Sequence, residues 1–227
     1  EMANEIRNSF DIDVSVILGP HPVSWEKQIK TLGDVNSTKL HLEAVELALE
    51  FISDGHAVCL GEVGRPHYQV NKKTWENANQ LLLEIMKITA KEKVSIQLHV
   101  EDNGKETYAD ISKLCEMTGM PKEKTIRHFA PPDLNSEFTC GISSTISVGK
   151  GSIERIIDTM KESESIWGME TDFLDDVKRP GAVLGPKTVP KRTQHLCKKM
   201  WELDYSDNQI IELMENIHSR WPKVIYS

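Results

Sequence analysis

The chain has 227 residues, with 27 lysines and arginines against 35 aspartates and glutamates, so its formal charge is −8. That length suits one large domain or two small ones, and it can bury a core without disulfides or structural metals. No run approaches the roughly 18 apolar residues of a membrane span, no signal-peptide pattern opens the chain, and the acidic balance argues against a protein that coats duplex nucleic acid.

In chain order, the apolar run VSVIL predicts a strand over 14–18, followed by a helix over 40–53 and a second strand over 57–61. Trp75, Ala78, Leu82, Ile85 and Thr89 then recur at helical spacing on one face. A strand over 94–98, a helix over 108–117, a short strand over 125–127 and a longer one over 138–146 come next. A helix over 153–161 and a strand over 166–170 follow. The Pro- and Gly-bearing stretch 179–190 reads as a long ordered loop, and Ser206-Asp207 opens a closing helix that carries Ile210, Leu213, Met214 and Ile217. Trp75, Trp201 and Met214 are expected in the core. The strands are apolar on both faces, the habit of parallel sheets. Alternating strand and helix units therefore predict an α/β protein, either a closed barrel or an open doubly wound sheet.

Cys59, Cys115, Cys140 and Cys197 stand far apart and form no CxxC pair, so a zinc finger or redox motif is not expected. Their apolar neighbours predict buried free thiols in a reducing cytoplasm. No G-x-G-x-x-G turn, P-loop or G-x-S-x-G elbow occurs, which removes the usual dinucleotide, nucleotide and serine-hydrolase readings.

A polar residue stands at the C-terminal end of each of four predicted strands: Glu62 after AVCLG, His99 after SIQL, His128 after KTIR and Asp172 after WGMET. Successive members lie about one βα unit apart. Parallel barrel strands aim their C-terminal ends at a common mouth, so these four side chains would converge there. Converging carboxylates and imidazoles suit a borderline divalent cation such as zinc or manganese.

At these residues the chain resembles the TatD-related metal-dependent hydrolases of the amidohydrolase-like barrel superfamily, over nearly its whole length. Gly19-Pro20-His21-Pro22 resembles the family's Gly-x-His-Pro, Gly61-Glu62-Val63-Gly64 its Gly-Glu-[Ile/Val]-Gly, and Glu170-Thr171-Asp172 its Glu-Thr-Asp; His99 and His128 stand where its two single metal histidines do. GEVGRPHY and RPGAVLGPKTVP are most similar to an archaeal-type branch.

The resemblance implies a TIM-type (β/α) barrel, one domain over 1–227, holding zinc, manganese, magnesium or nickel, up to two ions in the complete protein. Glu62 would bridge the ions. One ion would be completed by His99 and His128, the other by Asp172 and a His-x-His pair that this sequence does not contain. With six strand candidates where a barrel has eight, the chain is expected to lack about two N-terminal βα units. A partner chain, such as a second copy in a homo-oligomer, or the lost segment would cover the open edges.

Metal-assisted hydrolysis of a phosphodiester is the implied chemistry, with a small phosphodiester or a nucleic-acid end as substrate and Asp172 orienting the attacking water. Arg65 and His67 are candidates to hold a substrate phosphate; Arg65 has the competing role of pairing with Glu101 or Asp102. His21 lines the mouth or makes a structural hydrogen bond, and Glu170 buttresses the ligands. An amide or lactone hydrolase of the same superfamily, and a non-catalytic metal-binding protein, are the rival readings.

Overall fold

The structure is a computed structural model that describes residues 2–10, 12–174, 178 and 184–226. It resolves into two compact units. One comprises Glu1–Glu101, Leu114–Thr125 and Tyr226–Ser227; the other comprises Asp102–Lys113 and Ile126–Ile225.

The first unit contains α1 (Met2–Phe10), β1 (Ile17–Leu18), α2 (Pro22–Ser53), β2 (Cys59–Gly64), α3 (Lys72–Glu92) and β3 (Ser95–His99). Its three strands pair in parallel, β1 with β2 and β2 with β3, and Gly64 stands opposite His99 at the C-terminal ends. That register admits only glycine at 64: its φ is 152°, and a Cβ there would lie 2.0 Å from the carbonyl oxygen of His99. α3 is capped by Asn71, whose side chain accepts from the Thr74 amide, and it buries Ala78, Leu81, Leu82, Ile85 and Met86.

α2 is longer than the helix expected over 40–53, and it is not straight. Gly33 has φ 76° and ψ 162°. Ser37 Oγ donates to the Trp25 carbonyl at 2.8 Å, and Trp25 Nε1 donates to Thr38 Oγ1 at 3.1 Å. Twelve residues of continuous helix would span about 18 Å, so the chain doubles back at Gly33. Pro22 in the first turn and the His21 cap before it mark the start of α2.

The second unit holds β4 (Thr125–Ala130, whose first residue belongs to the other unit), α5 (Ser136–Thr139), β5 (Ser143–Ser147), α6 (Ser152–Thr159), β6 (Trp167–Glu170), α7 (Thr188–Glu202), α8 (Asp207–Glu215) and α9 (Trp221–Ile225). α4 (Lys105–Thr118) divides between the units. β4 pairs in parallel with β5, and β5 with β6, with Ser147 opposite Glu170. α8 and α9 are joined by a π-helical turn, Asn216–Arg220.

Four expectations are corrected here. The strand expected over 138–146 begins at Ser143, because Asn135 caps the Glu137 amide and turns 136–139 into a short helix. α7 begins inside the stretch read as a loop over 179–190: Pro190 is its third residue, a first-turn position where a missing amide costs no helical bond. Residues 179–183 of that stretch lie outside the described residues. Trp201, expected in the core, is 56% exposed, and its indole donates to Asp207 at 2.9 Å. The remaining elements stand within a few residues of their predicted places; all four cysteines are free, but only Cys59 and Cys115 are buried, and Cys140 and Cys197 are half-buried. Burial pushes the Cys59 thiol up to about 12. Among the described residues no helix is long and apolar enough to cross a membrane.

Candidate metal centre

In the first unit the parallel register brings the ends of β2 and β3 side by side, which places Glu62 next to His99. His99 Nδ1 lies 3.2 Å from Glu62 Oε2. Two ligand atoms, each about 2.1 Å from one cation and about 100° apart, are separated by about 3.2 Å. The pair therefore already has the spacing of two ligands of one ion. Both side chains are partly buried.

His21 joins them from the start of α2. Its Nε2 is 3.7 Å from the same Glu62 oxygen, its ring centroid is 4.3 Å from that of His99, and the donor atoms of all three side chains lie within 4.8 Å of one another. These three form a group that could hold a metal ion. Yet His21 Nδ1 accepts a hydrogen bond from the Val23 amide at 3.2 Å, capping α2. A neutral imidazole that accepts at Nδ1 carries its proton at Nε2. His21 thus faces Glu62 as a donor, not as a lone pair, and its chemistry suits holding a carboxylate or a substrate oxygen better than ligating a cation. Of the two roles expected for it, the structural hydrogen bond is this cap on α2.

His67, on the segment after β2, approaches His99 from the other side: Nδ1 is 2.6 Å from His99 Nε2. It is exposed, and burial together with neighbouring His99 pushes its imidazole below the ordinary value. Arg65 points elsewhere. Of its competing partners the structure gives it Glu101, with Nε and Nη2 each on one carboxylate oxygen at 2.7 and 2.6 Å. Nη1 reaches Asn79 at 2.6 Å, and the guanidinium lies 4.7 Å from the Trp75 ring centroid. This residue is 1% exposed.

The second unit carries His128 on β4 and Glu170 at the end of β6. Glu170 Oε2 lies 3.1 Å from His128 Nδ1, while its Oε1 accepts from the Phe129 amide at 2.8 Å. An ionised carboxylate is acceptor-only, so His128 donates at Nδ1 and its Nε2 keeps a lone pair. That Nε2 is 3.8 Å from Asp172 Oδ1. Phe129 and Asp172 both adopt positive φ, 51° and 49°. Such backbone is uncommon for a bulky phenylalanine; it turns the Phe129 amide onto Glu170 and the chain sharply after β6. Neighbouring Arg127 is buried against Asp102 at 2.7 Å and against the Tyr108 ring at 4.5 Å. Of the four residues expected at strand ends, Glu62 and His128 lie inside β2 and β4, His99 ends β3, and Asp172 follows β6 by two residues. The capping role of His21 was less visible, since its signal is a His-Pro pair at a helix start.

Fold and donor chemistry together define a parallel-stranded α/β protein with carboxylate–imidazole groups suited to a divalent cation. The family profile described as TatD related DNase matches residues 1–219, and the chain belongs to that family. It is similar to the uncharacterized protein MJ1127 of Methanocaldococcus jannaschii, with 29% identity over 184 residues, covering 81% of this chain. The chain spans 64% of the length of that relative. It is also similar in structure to YjjV, a TatD homolog from Escherichia coli known from a crystal structure, with a TM-score of 0.62 and 17% identity over 99% of this chain and 81% of that one. This likeness shows the fold expected from the sequence, the α/β class of TatD-type (β/α) barrels, with six parallel strands among the described residues.

Proposed function

We propose that this protein is a metal-dependent hydrolase of phosphodiester bonds, with Glu62, His99, His128 and Asp172 as the protein ligands of its divalent cations. The observation that carries the reading is the bracing of His128. A buried imidazole is held at Nδ1 by Glu170 and keeps its Nε2 lone pair towards Asp172, the arrangement in which histidines ligate metals. The 3.2 Å pair of Glu62 and His99 supports the same donor set. The fitting cations are zinc, manganese, magnesium or nickel. When bound, such a cation supplies Lewis-acid charge that makes water a better nucleophile and stabilises charge developing on the phosphate.

The side chains then have distinct tasks. Asp172 orients the attacking water and accepts its proton. Glu170 fixes the His128 tautomer, and His21 turns its Nε2 proton towards Glu62 from 3.7 Å. His67, exposed beside His99, meets a substrate phosphate. Arg65 positions the segment between β2 and His67 through its fork on Glu101, and acts on the substrate through that segment. The substrate class is a small phosphodiester or a nucleic-acid end, which an acidic protein admits more readily than a long duplex.

The test is hydrolysis of bis(p-nitrophenyl) phosphate and of short single-stranded DNA by the full-length protein loaded with manganese. Asp172→Asn should lower kcat by about 10²- to 10⁴-fold. Hydrolysis of amides or lactones with none of phosphodiesters would transfer the protein to the rival hydrolase class. A metal-loaded protein that cleaves neither would be a non-catalytic binder.

A further inference from the structure

The second unit contains a cavity of ≈ 380 Å³ that plays no part in the proposed chemistry. It opens at the N-terminal end of β6, among Met160–Trp167, Met200, Tyr205 and the segment that runs from α8 into α9. Trp167 begins β6 and Asp172 follows its other end. At about 3.3 Å per residue, the cavity and Asp172 lie roughly 16 Å apart along the chain. The cavity falls in the size range of small-molecule sites.

Two independent features mark it as built for a ligand. Tyr205 lines the cavity, and its hydroxyl is buried without a hydrogen-bond partner among the described residues. Buried hydroxyls are ordinarily paired, because an unmatched one is costly. Secondly, the helix is interrupted at this point by the π turn Asn216–Arg220, closed by a bond from the Trp221 amide to the Asn216 carbonyl, five residues back. In an α-helix residues five apart point about 140° away from each other. The wider turn brings Asn216 and Trp221 onto one side, and both line the cavity. Single π turns of this kind are rare and gather at functional sites.

We propose that this cavity is a second ligand site, for a purine nucleoside or its monophosphate. The walls supply flat apolar faces: the Trp221 ring, packed 5.9 Å from that of Trp167, and the ring of Tyr205. The edge groups are the Asn216 amide, whose NH₂ donates and whose oxygen, already accepting from Arg220 at 3.5 Å, has a second lone pair, and the Tyr205 hydroxyl, which does either. Bases are recognised by stacking on aromatic rings and by hydrogen bonds to their edges, and asparagine matches the donor–acceptor pair of adenine. Lys161 Nζ sits 5.3 Å over the Tyr205 ring at the exposed rim, positioned for a phosphate. The site is separate from the metal centre and does not depend on that centre being catalytic.

The experiment is calorimetric titration of the full chain, kept in EDTA, with adenosine and with adenosine monophosphate. One molecule should bind per chain with a Kd below about 1 mM, and the His99→Ala/His128→Ala protein should bind equally well. Tyr205→Phe, which preserves shape, should weaken both by about five- to tenfold, the loss of one hydrogen bond. Trp221→Leu should weaken them further, and Lys161→Ala should remove only the advantage of the monophosphate. No binding below about 1 mM would overturn the proposal. So would binding that survives Tyr205→Phe and Trp221→Leu unchanged, or that disappears in the His99→Ala/His128→Ala protein.

Discussion

Glu170→Gln changes one atom of a carboxylate that serves two donors at once. In the native side chain Oε1 takes the Phe129 amide at 2.8 Å and Oε2 takes His128 Nδ1 at 3.1 Å. Glutamine has one oxygen for these two donors. If that oxygen stays on Phe129, the new NH₂ faces His128 Nδ1, and the imidazole must move its proton to Nε2. The lone pair meant for the cation is then gone. If the amide flips instead, the NH₂ opposes the Phe129 N–H, and the bond to that exposed residue is lost, at about 0.5–1.5 kcal/mol. Supporting groups of metal histidines are worth about 10- to 100-fold in metal affinity, or about 1.4–2.7 kcal/mol. A chelator competition titration with zinc should therefore show affinity falling by that factor. The metal-free melting temperature should fall by a few degrees, at about 2–4 °C per kcal/mol for a chain of this size. Zinc affinity within about twofold of wild type, in a variant of unchanged melting temperature, would refute the role given to Glu170 and with it the tautomer assigned to His128.

Other consequences follow from the same geometry. Gly64→Ala puts a Cβ 2.0 Å from the His99 carbonyl oxygen, so urea unfolding should show more than about 4 kcal/mol of destabilisation, whereas Gly149→Ala, with nothing within 4 Å, should cost under about 1 kcal/mol. Glu101→Ala strips the fork from an arginine that is 1% exposed, and the same assay should register a loss of about 3–5 kcal/mol. His41 is buried, its Nε2 has no partner among the described residues, and burial, with a lesser contribution from His21, lowers its pKa from 6.5 to about 4. Between those values the unfolded chain binds the extra proton, so this stabilisation is complete above pH 6.5 and is lost as pH falls towards 4, by about 3 kcal/mol in total. Denaturant midpoints across that range should flatten in His41→Leu.

Much of the site could be read before the fold was known, because its residues obey the period of the βα unit. Glu62, His99 and His128 lie at or near the ends of apolar runs that bury both faces, and such runs are hard to mistake. Features that escaped depend on single local bonds. The strand expected over 138–146 fails because one asparagine side chain caps a helical turn ahead of it. The start of α7 was hidden by Pro190, a residue that reads as a breaker in the middle of a helix but is tolerated in its first turn. The reversal at Gly33 is invisible in the hydrophobic pattern, since both arms of α2 remain helical on either side of one glycine. Glu170 was legible as a buttress, but its double engagement with His128 and the Phe129 amide needs coordinates. The dual use of His21, one nitrogen capping α2 and the other facing Glu62, needs them too.

Metal content tests the central claim most directly. Purified full-length protein, soaked in zinc or manganese and desalted, is analysed for transition metals beside the His99→Ala/His128→Ala protein. The proposed metal centre requires about one to two ions per chain in the wild type and their loss in the double variant. A wild type that holds no more metal than the variant would contradict it.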